Sequence, residues 1–510
     1  MITKIACGAL HGVDAFRVDL EVDFSRAGLP AFTMVGLAEG AVRESRDRVF
    51  AALRNGNLRL PPARITVNLA PADRKKGGSS YDLPLAVGLL AAAELLPANA
   101  ADGFFMAGEL SLTGELKPVN GILPLAILAR DSGAKAFLVP AANASEAAVV
   151  EGLTVYGPES LGQVVAFLAE GAALEPALPP ASPASGREAS AQALDFADVK
   201  GQDHAKRAIE IAASGGHNLL FLGPPGSGKT MLARRMFTVL PPLAFEEALE
   251  VTKIYSVAGL LTPGGGIIEE RPFRAPHHTI SEFGLVGGGQ VPRPGEISLA
   301  HRGVLFLDEL LEFRKQTLEV LRQPLENGAI TIARAALSLT YPADFMLVAA
   351  MNPCSCGYLT DSRKACTCTP AEILRYRSRL SGPLLDRIDL HVEVPAVPYE
   401  DLRKEAPGKS SAAMRDAVLA ARERQSARFA GTAARCNADL SGRALDRHCR
   451  LGADGHAFLK EAVAALNLSA RAYTRILRIA RTIADLEDAP DITVPHLAEA
   501  VNCRALDRQQ

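Results

Sequence analysis

The sequence carries no charge excess. Its 55 basic and 57 acidic residues leave a net charge of −2, so any basic surface for a polyanion has to be local. No run is long enough to cross a bilayer: the most apolar segment, "LPLAVGLLAAAELLPA" from Leu83, is too short and carries Glu94. The opening "MITKIACGALHGVDAF" lacks the basic, apolar, small-residue order of a signal peptide, so the expected location is the cytoplasm and no membrane partner is expected. A secreted disulfide framework is also missing. Four of the eight cysteines crowd into 354–368, and Cys7, Cys436, Cys449 and Cys503 are scattered. No short-period internal repeat is present, which excludes a solenoid. What remains, 48% hydrophobic and 22% charged over 510 residues, suits a soluble globular protein of two to four domains.

Residues 172–193, "AALEPALPPASPASGREASAQA", are rich in Pro, Ala and Ser without apolar periodicity, the mark of a linker. They divide a first domain, 1–171, from the rest. That domain mixes strand-like runs ("RITVNLA", "AKAFLVP") with helix-like ones ("AVRESRDRVFAALRN", "LPLAILARDSG"), so it reads as α/β. A second α/β region, 194–397, has strands at "NLLFLG", "GVLFLDE" and "FMLVAAMN". Residues 398–510 turn mostly helical, with Arg-rich polar faces.

"GPPGSGKT", residues 223–230, fills every position of G-x-x-x-x-G-K-[ST] between an apolar strand and a helix. Gly223, Pro224, Pro225, Gly226, Ser227 and Gly228 let backbone N–H groups wrap phosphates. Lys229 reaches the β- and γ-phosphates of ATP, and Thr230 takes Mg²⁺. "GVLFLDEL" ends a buried strand in Asp308, placed for Mg²⁺, and Glu309, placed to orient or deprotonate water. A third strand ends in Asn352, an amide able to polarise that water. Arg375, Arg377, Arg379 and Arg387 follow in "RYRSRLSGPLLDRIDL"; one of them set against a neighbour's γ-phosphate would act as an arginine finger, and a solvated basic face is the alternative for some of them.

In this order, P-loop, "LFLDE", Asn-terminated strand, arginine segment and helical lid resemble an AAA+ ATPase. "RPFRAPHHTISEFGLVGGGQVPRPGEISLAHRGVLFLDEL" is similar to the magnesium-chelatase-type branch, with its insert in helix 2, and "SGPLLDRIDLHVEV" resembles that branch and the minichromosome-maintenance helicases. Over nearly its whole length the chain resembles the ComM/YifB family of magnesium-chelatase-like AAA+ proteins. The resemblance implies Arg387 as the finger acting in trans and Arg471, in "SARAYTRILRIARTIADL", as a residue sensing ATP in cis. It implies a ring, a hexamer, that migrates or unwinds branched DNA in recombination and natural transformation, with recombination proteins as partners. "DVKGQ", residues 198–202, looks like the segment that closes over adenine; an ordinary helix start is the alternative.

"NPCSCGYLTDSRKACTCTP" sets Cys354, Cys356, Cys366 and Cys368 in C-x-C-x₉-C-x-C. Four thiolates can close a tetrahedral structural Zn²⁺ site; free thiols or a redox pair are the rival readings. His277 and His278 would point opposite ways on a strand, which favours a structural or loop role over one shared ion. Glycines 287–289 predict a mobile hairpin tip facing the pore of a ring.

In the first domain, "KKGGSSYDLPLAV" looks at first like a serine nucleophile in a glycine approach. That stretch and residues 108–140 are similar to the proteolytic domain of Lon proteases. Aligned on that pattern, Leu85 stands at the serine position and Leu123 at the lysine position, so the domain is expected to be an inactive Lon-like fold. The resemblance points to a DNA-binding scaffold. Arg74, Lys75 and Lys76 form a basic loop that is either a phosphate contact or simply solvated.

Three functions compete: an ATP-driven motor on single-stranded or branched DNA, a magnesium-chelatase-like or chaperone-like ATPase that remodels a protein, and a non-enzymatic ATP-binding scaffold. Complete Lys229, Asp308, Glu309 and Asn352 chemistry argues against the third. ATPase activity stimulated by DNA would separate the first from the other two.

Overall fold

The structure is a computed structural model that describes residues 2–506 except 38, 98, 181–193, 263, 290–292, 335–336, 362, 399–407 and 505. The chain opens with β1 (Ile2–His11), β2 (Asp14–Ser25), β3 (Ala31–Val35), α1 (Gly40–Asn55), β4 (Arg64–Ala70) and α2 (Asp82–Ala92). There follow β5 (Phe104–Met106), a short hairpin of β6 (Glu109–Leu110) and β7 (Leu116–Lys117), α3 (Ile122–Asp131), β8 (Ala136–Leu138), α4 (Ala141–Ala148), β9 (Val155–Tyr156) and α5 (Leu161–Glu170). The main sheet has seven strands in the order β3-β4-β2-β1-β5-β8-β9.

Strand alternation fixes which helix packs where. Ile5, Cys7 and Ala9 of β1 join the core under α2, while Ala6 and Leu10 pack toward α3 on the other face. A Cβ on Gly8 would sit 2.6 Å from Leu125 of α3, and one on Gly88 would sit 3.0 Å from Val22 under α2. Every residue of α2 is buried, which is why its sequence is apolar all round. Leu85 and Leu123 therefore lie in cores on opposite faces of the sheet, 1% and 0% exposed. Neither position offers a nucleophile or a base to solvent.

The first part of the expected linker packs back onto this sheet. Ala177 donates its N–H to Val155 at 2.8 Å, and Pro176 bridges Tyr156. The remainder, 181–193, lies outside the described residues.

The second region begins with α6 (Asp203–Gly215), β10 (Leu219–Leu222), α7 (Lys229–Arg235) and α8 (Phe245–Ala258). It continues through β11 (Phe273–Arg274), α9 (Glu282–Val286), β12 (Gly287–Gly288), β13 (Arg293–Pro294), α10 (Glu296–Leu299) and β14 (Val304–Leu307). Next come α11 (Lys315–Glu319), α12 (Arg322–Asn327), the hairpin β15 (Ala329–Arg334) and β16 (Leu337–Pro342), β17 (Met346–Met351), α13 (Pro370–Arg377), α14 (Gly382–Leu385) and β18 (Leu390–Glu393). Five strands make a wholly parallel sheet in the order β11-β14-β17-β10-β18. Their residues are almost unbroken apolar runs, as a sheet covered on both faces requires. The glycines 287–288 do form a hairpin arm against β13, but its tip at 290–292 lies outside the described residues.

The last region is helical: α15 (Ser411–Phe429), α16 (Gly442–His448), α17 (Ala453–Leu466), α18 (Ala470–Leu486) and α19 (Val494–Asn502). Its apolar faces share one core with α6, β10 and β18. The Lon-like region docks on α8. Gly121 donates to the Ser256 carbonyl at 3.0 Å, and the Ser256 hydroxyl donates to Glu146 at 2.5 Å. Lys253 of α8 pairs with Asp14 at 3.0 Å.

Just before β14, buried His301 is locked as a neutral ring. Its Nδ1 accepts the Asp344 N–H at 3.0 Å, and its Nε2 lies 3.2 Å from Glu250. Burial and neighbouring Arg302 depress its pKa from 6.5 to about 4 despite Glu250. A depressed native pKa means that the unfolded chain takes up the proton first on acidification. Stability is thus expected to fall between about pH 6.5 and 4, by up to about 3 kcal/mol. Urea midpoints measured against pH check this, with His301→Asn flattening that stretch of the curve. An unchanged slope in the variant would clear His301 of the effect.

Candidate active site

Parallel register brings three strand exits to one edge. Leu222 pairs with Met351, and Leu307 pairs with Ala349 one turn of the pleat away. Gly223, Asn352 and Asp308 are the residues that leave those strands, so they meet at the carboxyl edge where such sheets bind ligands. Gly223 has no room for a side chain, since a Cβ there would lie 2.2 Å from the Val394 carbonyl. Gly226 and Gly228 take φ of +75° and +94° as the loop turns into α7.

Thr230 donates to Asp308 Oδ2 at 2.6 Å. Lys229 donates to the carbonyls of Gly223 and Pro224 at 2.7 and 2.9 Å and to Asn352 Oδ1 at 3.3 Å. Burial lowers the Lys229 pKa, against the pull of Asp308 and Glu309. The Ser227 hydroxyl is closed from solvent with no hydrogen-bond partner among the described residues. Segment 198–202 reaches the same edge, where Gln202 Nε2 donates to the Pro395 and Ser227 carbonyls at 2.6 and 3.3 Å.

Glu309 adopts a left-handed backbone, φ +50°, at the strand exit. A non-glycine residue is seldom found there, and such strain gathers at functional sites. Its carboxylate lies 3.2 Å from His278 Nδ1. The histidines occupy the loop after β11, and their rings lie side by side, 4.1 Å apart. The strand geometry expected to separate them does not apply, although the loop placement stands. Sequence reading missed the His278–Glu309 contact. The signal was the order of the sheet, which puts the exit of β11 next to that of β14.

The arginines divide between two edges. Arg377 donates to the Pro353 carbonyl at 3.2 Å and Arg379 to the Leu311 carbonyl at 3.0 Å, both on the phosphate-loop side. Arg375 is exposed on α13. Arg387 precedes β18, and since β18 runs parallel to β10 it sits at the amino edge. There it pairs with exposed Glu326 at 2.5 Å. Arg471 lies beside it, 3.2 Å from Asp386 and 68% exposed. The cis role expected for Arg471 needs it near the phosphate loop, and here it stands at the amino edge beside Asp386. Helix α18 enters the core at the amino edge, with Arg475 3.1 Å from Asp389 and Thr482 2.8 Å from His217. A strand length of about 13 Å then separates that edge from the subunit's own phosphate loop.

Magnesium chelatase, subunit ChlI, matches residues 195–402; the C-terminal part of that subunit matches 408–504; and subunit ChlI of Mg-chelatase matches 20–143. The chain is 46% identical to the competence protein ComM of Haemophilus influenzae over 98% of its own length and 97% of that protein. The chain belongs to the ComM/YifB family of magnesium-chelatase-like AAA+ ATPases. The YifB protein of Escherichia coli is likewise 46% identical, over 98% of this chain and 96% of its own. A shorter stretch, 31% of the chain, is 31% identical to the magnesium-chelatase 67 kDa subunit of Chlorobaculum parvum, 23% of that protein.

Membership of this family implies ATP with Mg²⁺, and the residues fit both. The unpartnered Ser227 hydroxyl, the glycine cradle and Lys229 suit phosphates; Thr230 and Asp308 suit the metal. Among the described residues no helix is long and apolar enough to cross a membrane.

The four clustered cysteines meet in space, their Sγ atoms all within 4.8 Å of one another. Cys354, Cys356 and Cys366 are 3.4 to 3.7 Å apart, longer than any disulfide and close to the sulfur spacing of a tetrahedral zinc site, about 3.8 Å. Backbone N–H groups support the sulfurs: Cys356 donates to Cys368 Sγ and Cys368 to Cys366 Sγ, each at 3.4 Å. N–H groups of Tyr358 and Thr367 lower the Cys356 thiol to about 5. Gly357, at φ +85°, lets this loop lie against the phosphate loop, since a Cβ there would touch Pro225 at 2.8 Å. The cluster thus braces both the arginine helix α13 and the ATP site.

The basic loop of the Lon-like region loses a member. Lys76 is buried, donating to the carbonyls of Gly36 and Pro71, so it cannot contact phosphate. Its ammonium pKa is lowered by burial. Arg74 and Lys75 remain exposed, with Arg74 lying 5.0 Å over the Phe16 ring.

Elemental analysis of protein purified without chelator should find about one zinc per chain. Cys356→Ser with Cys368→Ser should lose it and lower the affinity for ATP, because the loop against Pro225 loosens. Metal-free protein with unaltered nucleotide binding would remove the zinc reading.

Proposed function

We propose that this ATPase is a ring motor that moves along or remodels single-stranded or branched DNA, by helicase or branch-migration activity in recombination and natural transformation. The observation that carries it is the split of the catalytic set between two edges of one sheet. Glycine amides and Lys229 would bind the phosphates, while Thr230 and Asp308 would hold Mg²⁺, whose charge would offset theirs. The Glu309 carboxylate takes the proton of the attacking water, and the Asn352 amide orients that water. Arg387 and Arg471 sit on the opposite edge, so they serve the site of a neighbouring subunit. A closed ring, taken as a hexamer, gives every site such a neighbour.

His278 fits the same scheme. In this conformation it holds the Glu309 carboxylate, and release of that contact would free the base. Boundaries at 1–171, 194–397 and 398–510 are proposed for the Lon-like, ATPase and lid domains. The cytoplasm is the proposed location, where ATP and DNA occur together. The competence name of the Haemophilus influenzae relative supports the DNA reading over remodelling of a protein.

Labelled four-way junctions test the motor. The protein should move the branch with ATP, and Lys229→Ala should abolish movement and hydrolysis. Absence of ATP-dependent movement on any branched substrate would sink the DNA reading. Subunit mixing tests the split site. Arg387→Ala or Arg471→Ala subunits mixed into wild-type rings should depress ATPase activity beyond dilution. An arginine finger is worth about 10³–10⁵ in turnover, so the effect should be steep for Arg387. A linear fall with mutant fraction would show that the arginine acts within its own subunit.

A further inference from the structure

The seven-stranded sheet ends at β3, beyond which no strand pairs among the described residues. Between β3, α1 and residues 58–63 lies a groove of about 500 Å³. Phe32, Phe50 and Leu58 line its apolar floor, and Arg46, Arg54 and Arg59 stand at its rim. Helical spacing explains part of this: Arg46, Phe50 and Arg54 are four residues apart and share one face of α1. The Phe32 and Phe50 rings meet edge to face, 5.7 Å between centroids, and the Arg46 guanidinium lies 5.5 Å over Phe32.

Among the described residues no aspartate or glutamate lines the groove. Arg54 and Arg59 make no ion pair among the described residues. Arg46 has only Asp47, 3.8 Å away and 88% exposed. The three arginines are exposed and the two rings half-buried. On a chain of net charge −2 this is a local concentration of cations around an apolar recess.

We propose that this groove binds single-stranded nucleic acid, with bases against Phe32 and Phe50 and phosphates at Arg46, Arg54 and Arg59. The assignment rests on the DNA-motor reading above and gives it a contact surface outside the ATPase core. Rings combined with cations are how unpaired strands are held without regard to sequence. A duplex keeps its bases stacked inside and would not reach the rings. An apolar peptide added to β3 would leave three arginines without countercharge.

The test uses the full chain and a fluorescein-labelled oligo(dT) 20-mer, with anisotropy read across a salt series. Arg46→Gln with Arg54→Gln and Arg59→Gln should weaken binding about tenfold or more and reduce the slope of log affinity against log salt by about 2. Phe50→Leu should weaken binding about fivefold at unchanged slope, and an abasic 20-mer should not respond to it. Thermal melting confirms that both variants are folded. A charge-matched control, Arg443→Gln with Arg447→Gln and Arg450→Gln on the lid, should bind as wild type. Equal loss in that control, or an unchanged slope in the groove variant, overturns the proposal. So does loss of an acidic aromatic peptide in place of the oligonucleotide. A wild-type chain that fails to bind the 20-mer sinks the DNA-motor reading itself, whereas binding that survives in the groove variants sinks only the groove.

Discussion

Five strands running the same way send every strand exit to one edge, and the nucleotide site is built from those exits. Gly223, Asn352 and Asp308 are far apart in sequence, yet the pairing of β10, β14 and β17 sets them side by side. Thr230 on the first turn of α7 then reaches Asp308 at 2.6 Å. A one-residue slip in β14 would turn Asp308 to the other face of the sheet and open that contact. Buried apolar side chains on both faces hold the register, at about 1.5–3 kcal/mol for each leucine or phenylalanine enclosed.

The same sheet sets Arg387 and Arg471 apart from the phosphate loop, at its amino edge. Its amino edge is knitted to the lid by buried polar groups. Burial alone would raise the Asp389 pKa, but His217, Arg475 and Arg478 outweigh it and hold the carboxyl at about 2. Nearby, Arg428 and Arg481 both pair with buried Asp485, at 2.5 and 2.9 Å. Those two pairs lie within the lid, whereas Arg475 reaches from α18 to Asp389 at 3.1 Å and ties the lid to the core; breaking a buried pair of this kind costs roughly 3–5 kcal/mol. Arg471 travels with α18 and stays beside Arg387.

Legibility followed chemistry that is local in sequence. The phosphate loop, the acid pair after "GVLFL" and the cysteine spacing each state their geometry within a few residues, because one strand, one turn or one loop builds them. Helices were legible where their faces differ; α2, buried all round, was legible only as an apolar run. Lys76 could not be read. It resembles its exposed neighbours Arg74 and Lys75, and only the carbonyls of Gly36 and Pro71 closing around it show that it is structural. The paired leucines at positions 85 and 123 were read as the loss of a protease dyad, and the fold adds that each belongs to a different core.

By itself, then, the sequence determined the class of the machine: a P-loop with its acids and amide, a four-cysteine loop, and a Lon-like region without a nucleophile. These depend on residue type and spacing along one segment. The tertiary structure alone decided which edge each arginine occupies, that His278 meets Glu309, and that Arg46, Arg54 and Arg59 ring an aromatic recess. Those facts arise where segments remote in sequence are brought together by strand order and helix docking, and no local pattern encodes such a meeting.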